Sequence, residues 1–95
     1  MKFMVSWQVG DDRRHEMLKL FAGMSEADAA AEFGNLKVIG RWHDLAGLAG
    51  VAIVETNDAN ALTLWLLKWN DAIDIQTAPV FDDAEARKLI RQALG

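Results

Sequence analysis

Ninety-five residues suit one domain and leave no room for two, so 1–95 is read as a single unit. An apolar fraction of 52% supports a core, yet a chain this short buries only roughly 60–65% of its unfolded surface, so self-association would add useful burial. The absence of cysteine excludes disulfides, thiolate zinc sites and a cysteine nucleophile, and a net charge of -4 with interspersed signs lacks the basic excess of a nucleic-acid binder.

Residues 2–9, KFMVSWQV, alternate. Phe3, Val5, Trp7 and Val9 share a dry face, and Lys2, Met4, Ser6 and Gln8 a mixed one, which predicts a strand. The apolar start is too short for a signal-peptide core, and no later run reaches membrane-helix length. A soluble cytoplasmic protein is the expectation. Gly10-Asp11-Asp12 ends the strand, and a helix is predicted over 13–22 with Met17, Leu18 and Phe21 inward. Ser25 caps a second, alanine-rich helix over 26–33, closed by Gly34.

Residues 36–43, LKVIGRWH, alternate again, with Leu36, Val38, Gly40 and Trp42 on one face and Lys37, Ile39, Arg41 and His43 on the other. A glycine-bearing connection, DLAGLAG, leads to a third strand over 51–56, and the pair reads as a hairpin. Asn57 or Asp58 caps a helix running through ALTLWLLKWN to position 70. Ala61, Leu62, Trp65, Leu66 and Trp69 form its central stripe, widened by Leu64 and Leu67. A helix this apolar needs cover on more than one side, part of which a second subunit would supply.

Residues 73–80, IDIQTAPV, form a fourth strand, with Pro79 near its end or on an edge. Asp82 followed by Glu85 resembles a capping box before a last helix with Ala86, Leu89, Ile90 and Ala93 inward. The basic cluster Arg87, Lys88 and Arg91 suits the macrodipole of that helix. The order βαββαβ plus a C-terminal helix predicts an α+β, ferredoxin-like sandwich, with helices on one sheet face and the other face open.

Assigning the dry faces to the helices leaves Lys2, Met4, Ser6, Gln8, Lys37, Ile39, Arg41, His43, Asp74, Gln76 and Ala78 on the open face. The third strand is apolar on both faces. If its one charge, Glu55, faces the open side, it pairs with Arg41 or Lys37. This mixture suits two sheets meeting around a partly polar lumen, that is, a homodimer.

MKFMVSW, GRWH, the glycine-rich connection to VAIVET, LKWND and TAPVFDD together resemble a bacterial family known only as domain of unknown function 3303, over nearly the whole chain. That family is similar in outline to the dimeric α+β barrel group. The group includes cofactor-independent monooxygenases, haem-handling proteins, small isomerases, dehalogenases and ligand sensors. The resemblance implies the fold and a dimer, and almost no chemistry.

The candidate site residues follow from side-chain chemistry. His43 titrates near neutrality and would serve as a general base, an axial haem ligand or a polar anchor, against a bland role bonding a backbone carbonyl. Arg41 would hold a carboxylate or enolate, against a bland pair with Glu55. Asp74 and Gln76 face the presumed lumen, or else bridge the dimer. Trp42, Trp65 and Trp69 are read as core. Two histidines without tight spacing give no metal site, and no phosphate loop, dinucleotide fingerprint or nucleophile elbow is present. Three readings stay open. One is a dimeric binding module for a small molecule, with no cofactor and no nucleic-acid or membrane partner. The second is a cofactor-independent enzyme using His43 as base and Arg41 against developing charge. The third is a haem handler with His43 as ligand.

Overall fold

The N-terminal alternation becomes the middle of the sheet. In the computed structural model, which describes residues 1–95 apart from the side chain of Asp11, strand β1 (Lys2–Val9) lies between β3 (Ala49–Glu55) and β4 (Ile73–Val80). Strand β2 (Lys37–Asp44) pairs with the far side of β3. All three pairings are antiparallel and the strand order is β2-β3-β1-β4. This is the predicted α+β, ferredoxin-like arrangement.

Four helices complete the chain: α1 (Arg14–Ala22), α2 (Glu26–Glu32), α3 (Ala59–Leu67) and α4 (Asp83–Leu94). A single 3-10 turn (Asp11–Arg13) precedes α1. Local chemistry sets the boundaries. Ser25 accepts from the Asp28 amide while Asp28 reaches back to the Ser25 amide, a reciprocal box. Gly34, at φ 60°, takes the left-handed turn that stops α2 and that other residues adopt at a cost. Asp58 and Asp82 cap α3 and α4 by accepting amides of the first turn.

The core lies on one sheet face. Val5, Ala52 and Val54 are almost fully buried and pack with Leu36 and with Leu62 and Trp65 of α3. A second cluster joins Val9 to Met17 of α1 and to Leu48. Leu48 sits in the turn between β2 and β3 at φ 55°. Its carbonyl accepts the Val9 amide at 2.8 Å, and Gln8 donates to the neighbouring Gly47 carbonyl at 2.8 Å. The turn is therefore pinned to the end of β1.

The last helix departs from expectation. Leu89 and Ile90, predicted inward, are exposed, and no residue of α4 is fully buried. An ion pair between Lys2 and Glu85 at 3.8 Å ties its first turn to β1. The molecule measures 50 × 27 × 20 Å with a radius of gyration of 15.3 Å, against about 13 Å for a compact chain of similar length. Amphipathic spacing predicted a buried stripe; in the single chain α4 has no surface to bury it on.

Candidate functional site

The ladder between β2 and β3 decides where the site is. It runs Lys37↔Glu55 and Val38↔Val54, then skips to Gly40↔Ile53, Arg41↔Ala52 and His43↔Gly50. Ile39 is the extra residue of a β-bulge, which sets two residues against one. Beyond it the alternation resumes with the opposite parity, so each following side chain changes face. Ala52 is opposite Val5 on β1, and Gly50 is opposite Trp7. Arg41 and His43 therefore lie on the helix-covered face, not the open face that simple alternation predicted.

The same change carries Gly40 and Trp42 outward. Trp42, read from sequence as core, is 59% exposed. A Cβ on Gly40 would collide with the Trp42 indole, so the ring lies flat over the glycine. On the helix side Gly50 has the same relation to Trp7. Each glycine is a floor for an indole, one on each side of the sheet.

Under the helices the sheet frames a cavity of about 530 Å³, within the range of small-molecule sites. Its walls are mostly apolar side chains of β1, β4, α1 and α3, and the polar exceptions are Glu32, Arg41 and His43. Glu32 ends α2, with a side chain 8% exposed. Its Oε1 accepts two indole N–H groups, from Trp65 at 3.1 Å and Trp69 at 2.7 Å. Arg41 Nη2 lies 3.7 Å from the same oxygen, an ion pair longer than a hydrogen bond. Glu32 Oε2 and Arg41 Nη2 are both buried and have no hydrogen-bond partner in the protein. The guanidinium is held over the Phe33 ring at 4.4 Å and near the Phe21 ring at 5.4 Å.

His43 stands further along the same wall. Its ring packs against Phe21 at 4.6 Å and edge-on to Trp7 at 5.8 Å. His43 is exposed as a whole, but desolvation on its packed side, and secondarily the Arg41 charge, hold the imidazole below its ordinary value of 6.5. Burial lowers Arg41 as well, and Glu32 opposes that shift. At neutral pH the wall thus presents a guanidinium, a carboxyl group and an uncharged imidazole.

The other expected residues lie elsewhere. Glu55, Asp74 and Gln76 are on the open face, in register with Lys2, Gln8 and Ser6 of β1. Glu55 is also opposite Lys37, one of its two expected partners; Arg41, the other, is across the sheet and faces Glu32. The predicted site thus divides into Arg41 and His43 in the cavity and Glu55, Asp74 and Gln76 outside it. Among the described residues no three histidine, aspartate or glutamate side chains converge as metal ligands, and no helix is long and apolar enough to cross a membrane.

Glu32 was not singled out from the sequence, although two signals pointed to it. An acid in the last turn of a helix without a basic neighbour opposes the macrodipole, so it needs another partner. Two tryptophans at i, i+4 read as core bring two indole donors inside, and buried indoles need acceptors.

Residues 1–94 match the family described as Domain of unknown function (DUF3303). The chain belongs to that family. No curated protein matches it.

Proposed function

We propose that this member of the DUF3303 family is a small-molecule-binding module whose ligand occupies the cavity between sheet and helices. The observation that carries the reading is the Glu32–Arg41 pair. Burying two charges is costly unless each is fully paired, yet each has one atom with no protein partner, in the wall of an otherwise apolar cavity. Unsatisfied buried polar atoms call for an explanation, and a ligand that engages them supplies one. A screen of small aromatic and aliphatic compounds against the full chain by ligand-observed NMR tests this. Binding is expected to be saturable and to disappear in Leu18→Trp, which fills the cavity. Absence of saturable binding in the parent would sink the reading.

A catalytic form of the same reading has one observation in its favour. His43 is held below the ordinary imidazole range, so it is a free base at neutral pH on the cavity wall, with Arg41 to stabilise developing negative charge. Turnover of a bound compound lost in His43→Ala, with binding retained, would separate enzyme from binder.

A second copy of the chain is the proposed cover for the open sheet face. Met4, Ile39 and Trp42 are exposed there, and Lys2 and Lys37 lie in register with Glu55. A face carrying apolar groups and both signs of charge is self-complementary about a two-fold axis. The native mass is expected to be that of a dimer, and Trp42→Glu is expected to yield monomers. A monomeric parent at high concentration would refute the assembly without touching the cavity. A cytoplasmic setting accords with the cysteine-free sequence.

A further inference from the structure

The cavity's polar atoms also specify a class of ligand. Resting on the binding reading above, we infer that the ligand carries an uncharged polar head, with a hydrogen-bond acceptor and a donor side by side on a mostly apolar body. A carboxylate, the obvious partner for a buried arginine, is disfavoured.

Charge balance gives the first reason. Arg41 does not stand alone, because Glu32 Oε1 lies 3.7 Å from its Nη2 and the two side chains are 15% and 8% exposed. The pair is already neutral. An anion entering beside it gains the attraction of Arg41 and meets the repulsion of Glu32 at a similar distance, so the two largely cancel. The cost of stripping water from the anion is left uncompensated. A neutral head avoids that cost.

The second reason is the pattern of vacant hydrogen-bonding capacity. Glu32 Oε1 is occupied by the two indole donors, while Oε2 has no protein partner. Arg41 offers the complementary atom, a buried Nη2 donor without an acceptor. A head that accepts from Arg41 and donates to Glu32 satisfies both. Primary amides, lactams and undissociated carboxylic acids carry that acceptor–donor edge. The guanidinium stacks on Phe33 and the carboxylate is held by two indoles; the two vacant atoms are themselves buried, so the head engages them as the Arg41 side chain shifts toward the cavity. The remaining lining, with Val5, Trp7, Leu18 and Ile75 among it, suits an apolar body.

Naphthalene, 2-naphthamide and 2-naphthoate share one body and differ in the head. Titrating each into the full chain at pH 7.5, with the tryptophan indole N–H resonances followed by NMR, tests the inference. The signals of Trp65 and Trp69, which donate to Glu32, are expected to move, and that of Trp42 on the open face to stay. The amide is expected to bind at least tenfold more tightly than either of the others. Glu32→Gln leaves Arg41 as the net charge of the site and is expected to improve carboxylate binding at least tenfold. Naphthoate binding to the parent as tightly as the amide would overturn the inference, and so would an amide no better than naphthalene, with the binding reading left standing. No movement with any of the three would overturn both. If Glu32→Gln fails to fold, the comparison on the parent chain still decides.

Discussion

Replacing Glu32 by alanine tests whether the cavity wall is held together as described. The change removes one carboxylate and strands three groups: the Trp65 and Trp69 indole N–H groups and the Arg41 guanidinium. A buried donor left unsatisfied costs about 1–3 kcal/mol, and breaking a buried ion pair from one side costs about 3–5 kcal/mol. The terms overlap, because water entering the space left by the carboxylate solvates all three groups together. The expected loss is therefore about 3–5 kcal/mol, a large share of the roughly 5–14 kcal/mol available to a domain of this size. Glu32→Gln keeps an acceptor for the indoles and loses only the charge, which should cost about 1–2 kcal/mol. Adding Arg41→Met to Glu32→Ala removes the stranded cation, so the double variant should lose at least about 1 kcal/mol less than the two single losses added. Urea unfolding followed by far-UV circular dichroism measures the parent, the three single variants (Arg41→Met included) and the double variant without relying on the displaced tryptophans. Glu32→Ala within about 1 kcal/mol of the parent, or strict additivity in the double variant, would refute the account.

Three further outcomes are expected. Deleting Ile39 should be tolerated within about 1 kcal/mol, because the remaining pairs already run Val38↔Val54 and Gly40↔Ile53. An unbulged strand would have half its side chains sent to the wrong face by the same deletion, and an unfolded product would show the bulge to be misassigned. Gly50→Ala should cost about 1–3 kcal/mol by overpacking, since its Cβ collides with the Trp7 indole; full stability in thermal melts would count against that packing. The His43 imidazole should titrate below 6.5 by NMR, its neutral form being favoured by burial and by Arg41. A depressed folded value means that the unfolded chain takes up its proton first. Stability contributed by the neutral ring is then present above 6.5 and lost as pH falls from there through the folded value. His43→Gln should flatten the stability profile in that window, and a midpoint at or above 6.5 would contradict the geometry.

The sequence revealed the fold through period. Strict alternation in β1 and β4, the Ser25 and Asp82 caps and the Gly34 stop are local signals, and each matches the structure. The candidate site was half legible. Arg41 and His43 were picked out by side-chain chemistry, which does not depend on register. Their placement depended on parity along β2, and parity was broken by Ile39, an apolar residue with no mark of a bulge. Glu32 depended on tertiary pairing with tryptophans more than thirty positions away, which no local pattern encodes. For α4 the signal was correct in kind: its apolar stripe exists, but Leu89 and Ile90 stay exposed in the single chain.

The bulge also bears on how this sheet resists growing sideways. With the order β2-β3-β1-β4, β2 and β4 are the rims, and each offers a row of free backbone groups to any passing strand. Ile39 interrupts that row on β2. On β4 the rim carries Pro79, which has no amide hydrogen to offer. Both rims are thus poor templates for a foreign strand. A chain lacking Ile39 would keep its fold and its cavity while presenting a straighter rim, and it should form fibrils or precipitate at concentrations where the parent stays clear.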